Sequence, residues 1–502
     1  MARTTIRTED ITASEVTTAK MAVDPTNADN LSSGSVPLAQ LGNAPATDLT
    51  GLEDDIALLG FRVASNGSLA KYNLVDQTVD DFQDASGVDA SASTGELRNS
   101  DNKYYEGGTA GTVTGGTVTT HGSYTVHTFT ASGTFETDVA GTADFLLVGG
   151  GGNGGGGHYN GGSGGGGGGG GVRALSAQAV SATTHAVTVG AGGVSQQYGD
   201  NGDASTVVLG STLSASGGGG GGFGTIDTGD SRNGLAGASG GGGGIGQTAK
   251  VGGAGNSGGY TPVEGYAGGN AATGGAGGGG GASEVGATAP GSGSLGGVGG
   301  DGIQNDWRTG SNVYYGGGGG GSGWSSSTYI SGGEGGGGRS GVSGDNVGTA
   351  GTANTGGAGG GSHGASGSHW PGPAGGTGIV VIRYDTAAGF TDPANMSLVS
   401  TTTAAQAAPT KGDIVMTYTN GAGTTTLQDD LTAEISADGG STWTAMTLGS
   451  EGSTGSHNIA TAHDVTISST ITAPYNMAYR IKTLNQSASK STRIQAVSLG
   501  WS

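Results

Sequence analysis

His158, Tyr159, Tyr260, Tyr266, Trp307, Tyr314, Tyr315, Trp324, Tyr329, His369 and Trp370 stand as scattered ring side chains in a stretch that is otherwise mostly glycine. Rings with an N–H or O–H at the rim can stack on an apolar surface and hydrogen-bond at its edge, the chemistry of noncovalent recognition. Three of the chain's five tryptophans fall here. Large apolar side chains on loops either pack or bind. Each of these residues is therefore a receptor-contact candidate, with covering the end of a slab as the alternative.

Catalytic and metal chemistry is poorly served. The eight histidines include no His-x-His and no His-Glu-x-x-His, the spacings that would place two imidazoles on one ion; His363 and His369 could meet only across a loop. There is no cysteine, hence neither disulfide nor thiolate site. The pairs Asp54/Asp55 and Asp429/Asp430 read as solvated charge rather than as the two carboxylates of a glycosidase. Asp80, Asp81 and Asp84 read as a solvated acidic face, with a calcium loop as the minor alternative. G-x-G-x-x-G occurs wherever glycines run together and has no nucleotide-binding context, and no run ends in Gly-Lys-Ser/Thr. No cofactor and no metal is expected, and no enzymatic activity. Ser436, Asp438, Gly440 and Trp443 fit Ser-x-Asp-x-Gly-x-Thr-Trp, the Asp-box, a structural hairpin in which the aspartate and glycines make the turn and the indole packs beneath.

The candidate rings need a scaffold, and glycine must supply it. The chain has 117 glycines in 502 residues, 92 of them between 149 and 378. Collagen would place glycine at every third position among many prolines, whereas here glycine comes in runs and the chain has only ten prolines. Ordering glycine costs more backbone entropy than any other residue, with no side chain to bury in return, so hydrogen bonds must compensate. A threefold extended helix has no internal hydrogen bonds; when its residues are glycine, neighbouring rods can approach and bond laterally. The runs 149–157, 164–171, 217–222, 240–244, 277–281, 316–321, 335–338 and 356–361 are predicted as rods of such a polyglycine II slab. The segments between them, which also carry Tyr198 and Phe223, are predicted as its loops.

The flanks are more conventional. Residues 1–48 read as an extended attachment arm, and 49–110 as a small helical or mixed connector. A short helix is expected from Leu52, Ile56, Leu59 and Val63, ending near Asn66-Gly67. Residues 111–148 read as the β segment that opens the glycine-rich domain (149–378), and 379–390 as its closing strand and linker. The apolar runs Phe145–Val148 and Ile379–Ile382 are predicted to lie together as buried strands, in one β core with His185–Val189 and Thr206–Leu209. Residues 391–502 carry six alternating segments, 414–419, 431–436, 442–448, 465–471, 478–484 and 492–499, which suggest an antiparallel sandwich. The fold class is thus mainly β, with a polyglycine II helical slab, a short N-terminal helix and a C-terminal antiparallel β-sandwich. A formal charge of −21 opposes nucleic acid binding, and no apolar stretch is long enough to insert in a membrane as a helix.

Several tracts carry a resemblance. Glu15-Val-Thr-Thr-Ala-Lys-Met21 and Val36-Pro-Leu-Ala-Gln-Leu-Gly-Asn43 resemble the N-terminal repeats of bacteriophage tail fibres. Ala57-Leu-Leu-Gly-Phe-Arg-Val-Ala64, Leu69-Ala-Lys-Tyr-Asn-Leu74, the tract Ile481–Lys490 and the closing Leu499-Gly-Trp501 resemble segments of marine-phage structural proteins. Tyr124–Phe135, Phe145-Leu-Leu-Val-Gly-Gly-Gly-Gly152 and Gly378-Ile-Val-Val-Ile-Arg-Tyr384 are similar to the glycine-rich domain of phage fibres and adhesins, where intervening loops carry receptor specificity. The resemblance implies a virion protein assembled in the host cytoplasm, a homotrimer docked through its N-terminal arm to other tail or capsid proteins. It would mediate host attachment by binding a surface glycan or outer-membrane protein. A capsid-attached fibre or decoration protein and a polysaccharide-degrading tailspike are the rival readings. In some such adhesins the glycine domain is C-terminal, whereas here about 110 residues follow it, so the sandwich could instead be the tip.

Overall fold

In a computed structural model, the described residues are 50–502 except 160, 226–231, 247–248, 292–293, 365–367, 387–388 and 468–471. The predicted arm lies outside them. Among the described residues the chain is mainly β, with one helix, Thr50–Gly67. It divides into two units, 1–56 and 57–502; of the first, the described part is the opening of that helix.

Two five-stranded antiparallel sheets form the base of the glycine-rich region. One runs Val172–Val180, Gly141–Val148, Ile379–Asp385, Tyr124–Phe129, Thr117–His121; the other runs Ser211–Ala215, Ser205–Leu209, Thr184–Thr188, Gly133–Thr137, Val113–Thr114. The two apolar runs are direct neighbours, with Val148 opposite Ile379 and Leu147 opposite Val380. Alternate residues face opposite ways along a strand, which explains why both runs are continuously apolar. Phe145, Leu147, Val380 and Ile382 point into the core between the sheets, while Leu146, Val148, Ile379 and Val381 pack on the other face against Tyr315 and Trp307.

From this base the glycine rods project. Backbone N–H groups of Gly149, Gly152 and Gly155 donate to Gly171, Gly168 and Gly165; those of Gly150, Asn153 and Gly156 to Asp203, Asp200 and Gln197; those of Gly151, Gly154 and Gly157 to Gly376, Pro373 and Trp370. Every third residue addresses the same neighbour, the signature of a threefold helix. The rod 164–171 donates to 216–222, 277–280 and 356–362 and accepts from 149–155, 239–242 and 319–322. It thus has six neighbours, and every N–H along it is bonded.

Only the interior rods match the predicted runs closely. Segments expected to be loops, including 197–203, 232–237, 250–254, 266–271, 284–289, 295–301 and 346–352, are themselves rods bonded to the lattice. An outer rod has one face in solvent, so it accommodates side chains there: Leu235, Val251, Val285 and Val298 are exposed. Ser239, Ser322, Ala358 and Ser362 are fully buried exceptions inside, and so is Asn153. Fully buried, it accepts from the Asp200 amide through Oδ1 (2.7 Å) and donates through Nδ2 to Tyr198 and Gln196 carbonyls.

The C-terminal sandwich also departs from expectation. Its larger, nine-stranded sheet includes Tyr72–Leu74, Gln77–Asp80, Glu96–Asn99 and Tyr104–Ala110 beside Ser491–Trp501, Lys411–Ala422, His457–Thr466, Gly449–Thr454 and Thr391–Pro393. The segment read as a connector is therefore woven into the sandwich, because Gln77–Asp80 and Tyr104–Ala110 both pair with the last strand. The second sheet comprises Met396–Val399, Thr403–Ala404, Asn476–Thr483, Leu431–Ser436 and Thr444–Met446. The strand expected at 465–471 lies earlier, at His457–Thr466; residues 468–471 fall outside the described set.

Two further corrections concern burial. The helix covers the sandwich with Ala57, Phe61 and Ala64, not with Leu59 and Val63, which are exposed. Small residues allow the close approach: Tyr72 donates its hydroxyl to the Gly60 carbonyl at 2.8 Å. Asp80 and Asp81 are buried rather than solvated. Burial raises the Asp80 carboxyl to about 6, although the Phe82 amide bonds its Oδ1.

Candidate functional site

The strand Gly141–Val148 leads into one rod, and the next rod returns at Gly171 to Val172–Val180. Rods therefore alternate in direction between the sheets and a far end. At 3.1 Å per residue, eight steps carry the chain about 25 Å from the base. This antiparallel arrangement sorts the sequence candidates into two sets.

Tyr260, Tyr266, Trp307, Tyr314 and Tyr315 lie at the sheet end. Tyr315 is fully buried beneath the first sheet and packs rather than binds, a correction to its candidacy. Trp307 packs on the same cluster, with the Arg383 guanidinium 4.4 Å from its ring centroid and bonded to Asp144. Tyr314 pairs with Gln304 in the hairpin Ile303–Asn305/Val313–Tyr315. Tyr260 is covered by Arg173 at 3.7 Å. Tyr266 is exposed, on a rod whose carbonyl at 266 accepts from Gly240.

His158, Tyr159, Trp324, Tyr329, His369 and Trp370 share the far end. The turn after Gly157 is closed by bonds from His158 N–H to Gly162 O and from Gly161 N–H to His158 O, with Gly161 at φ +96°. His158 is buried beneath Tyr159 and His369, whose ring centroids lie 4.1 and 4.3 Å from its own. Gln197 donates to His369 Nδ1 at 3.1 Å. Trp370 is half-buried and tied to Gly157 by reciprocal backbone bonds. Phe223 and Tyr198 extend the cluster, and Arg232 covers Tyr198 at 4.1 Å.

Tyr329 forms a second group. Its hydroxyl donates to Asp345 at 3.0 Å, and Arg339 both stacks on the ring at 3.7 Å and bonds Asp345. Arg339 and then Tyr329 hold the Asp345 carboxyl below its usual range. Trp324 forms a third, anchored by its N–H to Gly274 O at 2.8 Å. Tyr159, Trp324 and Tyr329 are exposed at 42, 42 and 45 %, and Tyr198 and His369 are exposed as well.

Ser163 was missed, and His363 was considered only for metal binding. Ser163 and His363 both bond the Gly323 carbonyl, at 3.2 and 3.0 Å, and so fix the chain just before Trp324. His363 and His369 have different partners: Gly323 for the first, and His158, Tyr159 and Gln197 for the second. The signal that could have found Ser163 was its position as the lone interruption between Gly161-Gly162 and the run 164–171.

The Asp-box residues sit apart, in the sandwich. Ser436 Oγ donates to Asp438 Oδ1, and the Gly440 amide donates back to Ser436 Oγ, both at 2.8 Å; Thr442 bonds both Asp438 oxygens. Gly439 and Gly440 have positive φ, and Arg480 covers Trp443 at 4.5 Å. The turn joins two paired strands, Leu431–Ser436 and Thr444–Met446.

A family model described as a glycine-rich domain matches residues 128–385. No curated protein matches the chain.

Proposed function

The chain belongs to the glycine-rich domain family, and from that premise we propose that it is a virion fibre protein that attaches to a host-cell surface. Contact is noncovalent, through the far end of the lattice, to a surface glycan or outer-membrane protein. The observation that carries the proposal is the placement of Tyr159, Trp324 and Tyr329, exposed rings on short turns between hydrogen-bonded rods. Rings on a rigid frame lose little entropy on binding. The N-terminal arm docks to other tail or capsid proteins and the assembly is a homotrimer in this reading, both resting on resemblance.

Adsorption of fluorescent full-length protein to intact candidate host cells tests it. Deleting 149–378 is a poor probe, because that span contains strands of both basal sheets. Tyr159→Ala combined with Trp324→Ala is the better variant, with Tyr266→Ala at the opposite end as control. Adsorption falling at least about tenfold in the first and holding in the second is expected. Equal adsorption by both variants would overturn the assignment to the far end. Release of reducing ends from host polysaccharide would overturn the binding-only reading in favour of a tailspike.

A further inference from the structure

Beside Trp324 the far end holds a cleft of about 410 Å³, lined by Ile245, Ala249, Ala272, Thr273, Gly274 and Trp324. This is within the size range of small-ligand sites. None of the described lining residues is charged, and Thr273 is the only one with a side-chain hydroxyl. The backbone at Trp324 is held from two sides. Its N–H bonds Gly274, and the carbonyl before it is fixed by Ser163 and His363. The indole Nε1 edge lies so close over Gly161 that a Cβ there would stand 2.9 Å away. The ring nevertheless remains 42 % exposed.

A half-open aromatic on a fixed backbone, beside a small uncharged hollow, suits a flat ligand with an apolar face and a polar rim. The chain's net charge of −21 disfavours an anion. A buried protein side chain would call for a fully apolar wall, whereas Gly246, Thr273 and Gly274 place backbone groups and a hydroxyl in this one. We propose that the cleft binds a neutral saccharide ring, its apolar face on the Trp324 indole and its hydroxyl rim toward Thr273. The inference rests on the attachment reading above and narrows its ligand at this position to a neutral glycan.

The test is titration of the full-length protein with the methyl pyranosides of glucose, galactose, mannose and N-acetylglucosamine, and with glucuronate as the anionic comparison, read by tryptophan fluorescence and calorimetry. Saturable binding of at least one neutral pyranoside is expected, weakened at least tenfold in Trp324→Ala, largely restored in Trp324→Phe, and absent for glucuronate. Thermal melting of each variant checks that it folds. Binding unchanged in folded Trp324→Ala, or preference for glucuronate, overturns the cleft assignment. Absence of binding to every neutral pyranoside also overturns it; if Trp324→Ala still lowers cell adsorption, the attachment reading survives with a protein receptor, and if adsorption is unaffected, Trp324 has no part in attachment.

Discussion

Replacing Gly166 with alanine puts the lattice to its most direct test. Gly166 lies in a rod with six neighbours, donates to Gly277 at 3.1 Å and accepts from Gly242 at 2.7 Å. A Cβ at this position would overlap the Gly319 carbonyl and stand 2.9 Å from the Gly279 nitrogen. The 316–322 rod would have to retreat by more than 1 Å to restore van der Waals contact, disturbing the bonds from Gly319 N–H to the Gly167 carbonyl and from Gly279 N–H to the Gly319 carbonyl. Overpacking costs about 1–3 kcal/mol, and two or three weakened hydrogen bonds add about 1 kcal/mol each. Against this, alanine restricts the unfolded chain and returns about 0.4–1 kcal/mol. The net expectation is a loss of about 2–6 kcal/mol. Gly133→Ala is the control, because the nearest atom to its added Cβ is a Phe129 ring carbon at 3.8 Å, an ordinary contact; its change should stay within about 1 kcal/mol. Denaturant midpoints of the two variants decide the matter. If Gly166→Ala is no less stable than Gly133→Ala, close backbone approach does not hold the slab together.

Three other outcomes follow from the same reasoning. Tyr315→Ala, at a fully buried ring, should cost about 3–5 kcal/mol, measured by denaturation; a loss below about 1 kcal/mol would return Tyr315 to the list of contact candidates. Asp430 accepts from Lys490 (2.8 Å), Asn485 and the Thr426 amide, and its carboxyl is held at about 2, chiefly by Lys490. Because the folded value lies below the unfolded one, this stability is present above about pH 4 and is lost as pH falls toward 2; with screening at partly exposed Lys490, Asp430→Asn should cost about 1–2 kcal/mol at pH 7. Asp80 has the opposite sign. Its buried Oδ2 has no hydrogen-bond partner among the described residues, and with the folded value raised to about 6 its contribution is greatest below pH 4 and declines as pH rises through 6. The melting temperature of Asp80→Asn relative to wild type should therefore rise between pH 4 and pH 7; a pH-independent difference would refute the burial argument.

Composition and apolar patterning made much of the framework legible. The runs at 145–148 and 379–382 pair directly, since a strand covered on both faces must be apolar at every position. Interior rods were legible for a related reason: a rod with six close neighbours leaves little room for a Cβ, so glycine dominates there, with Asn153, Ser239 and Ser362 among the exceptions. The Asp-box turn could be read because its hydrogen bonds connect residues at most four apart in sequence.

What tertiary structure alone decided is which side chains meet. Outer rods such as 232–237 and 284–289 escaped the sequence reading because one open face relaxes the demand for glycine. The helix turned small residues inward, contrary to its Leu59/Val63 stripe, because close approach to Tyr72 and Val79 outweighed aliphatic bulk. Strands near residue 100 joined the last strand of the chain, a pairing that no local pattern encodes. The separation of Trp307 and Tyr315 from Trp324 and Tyr329 has the same origin. All four are rings between glycine runs in the sequence, but alternating rod direction sends one pair into the β core and the other to the exposed end, and that direction is set by hydrogen bonds between distant rods.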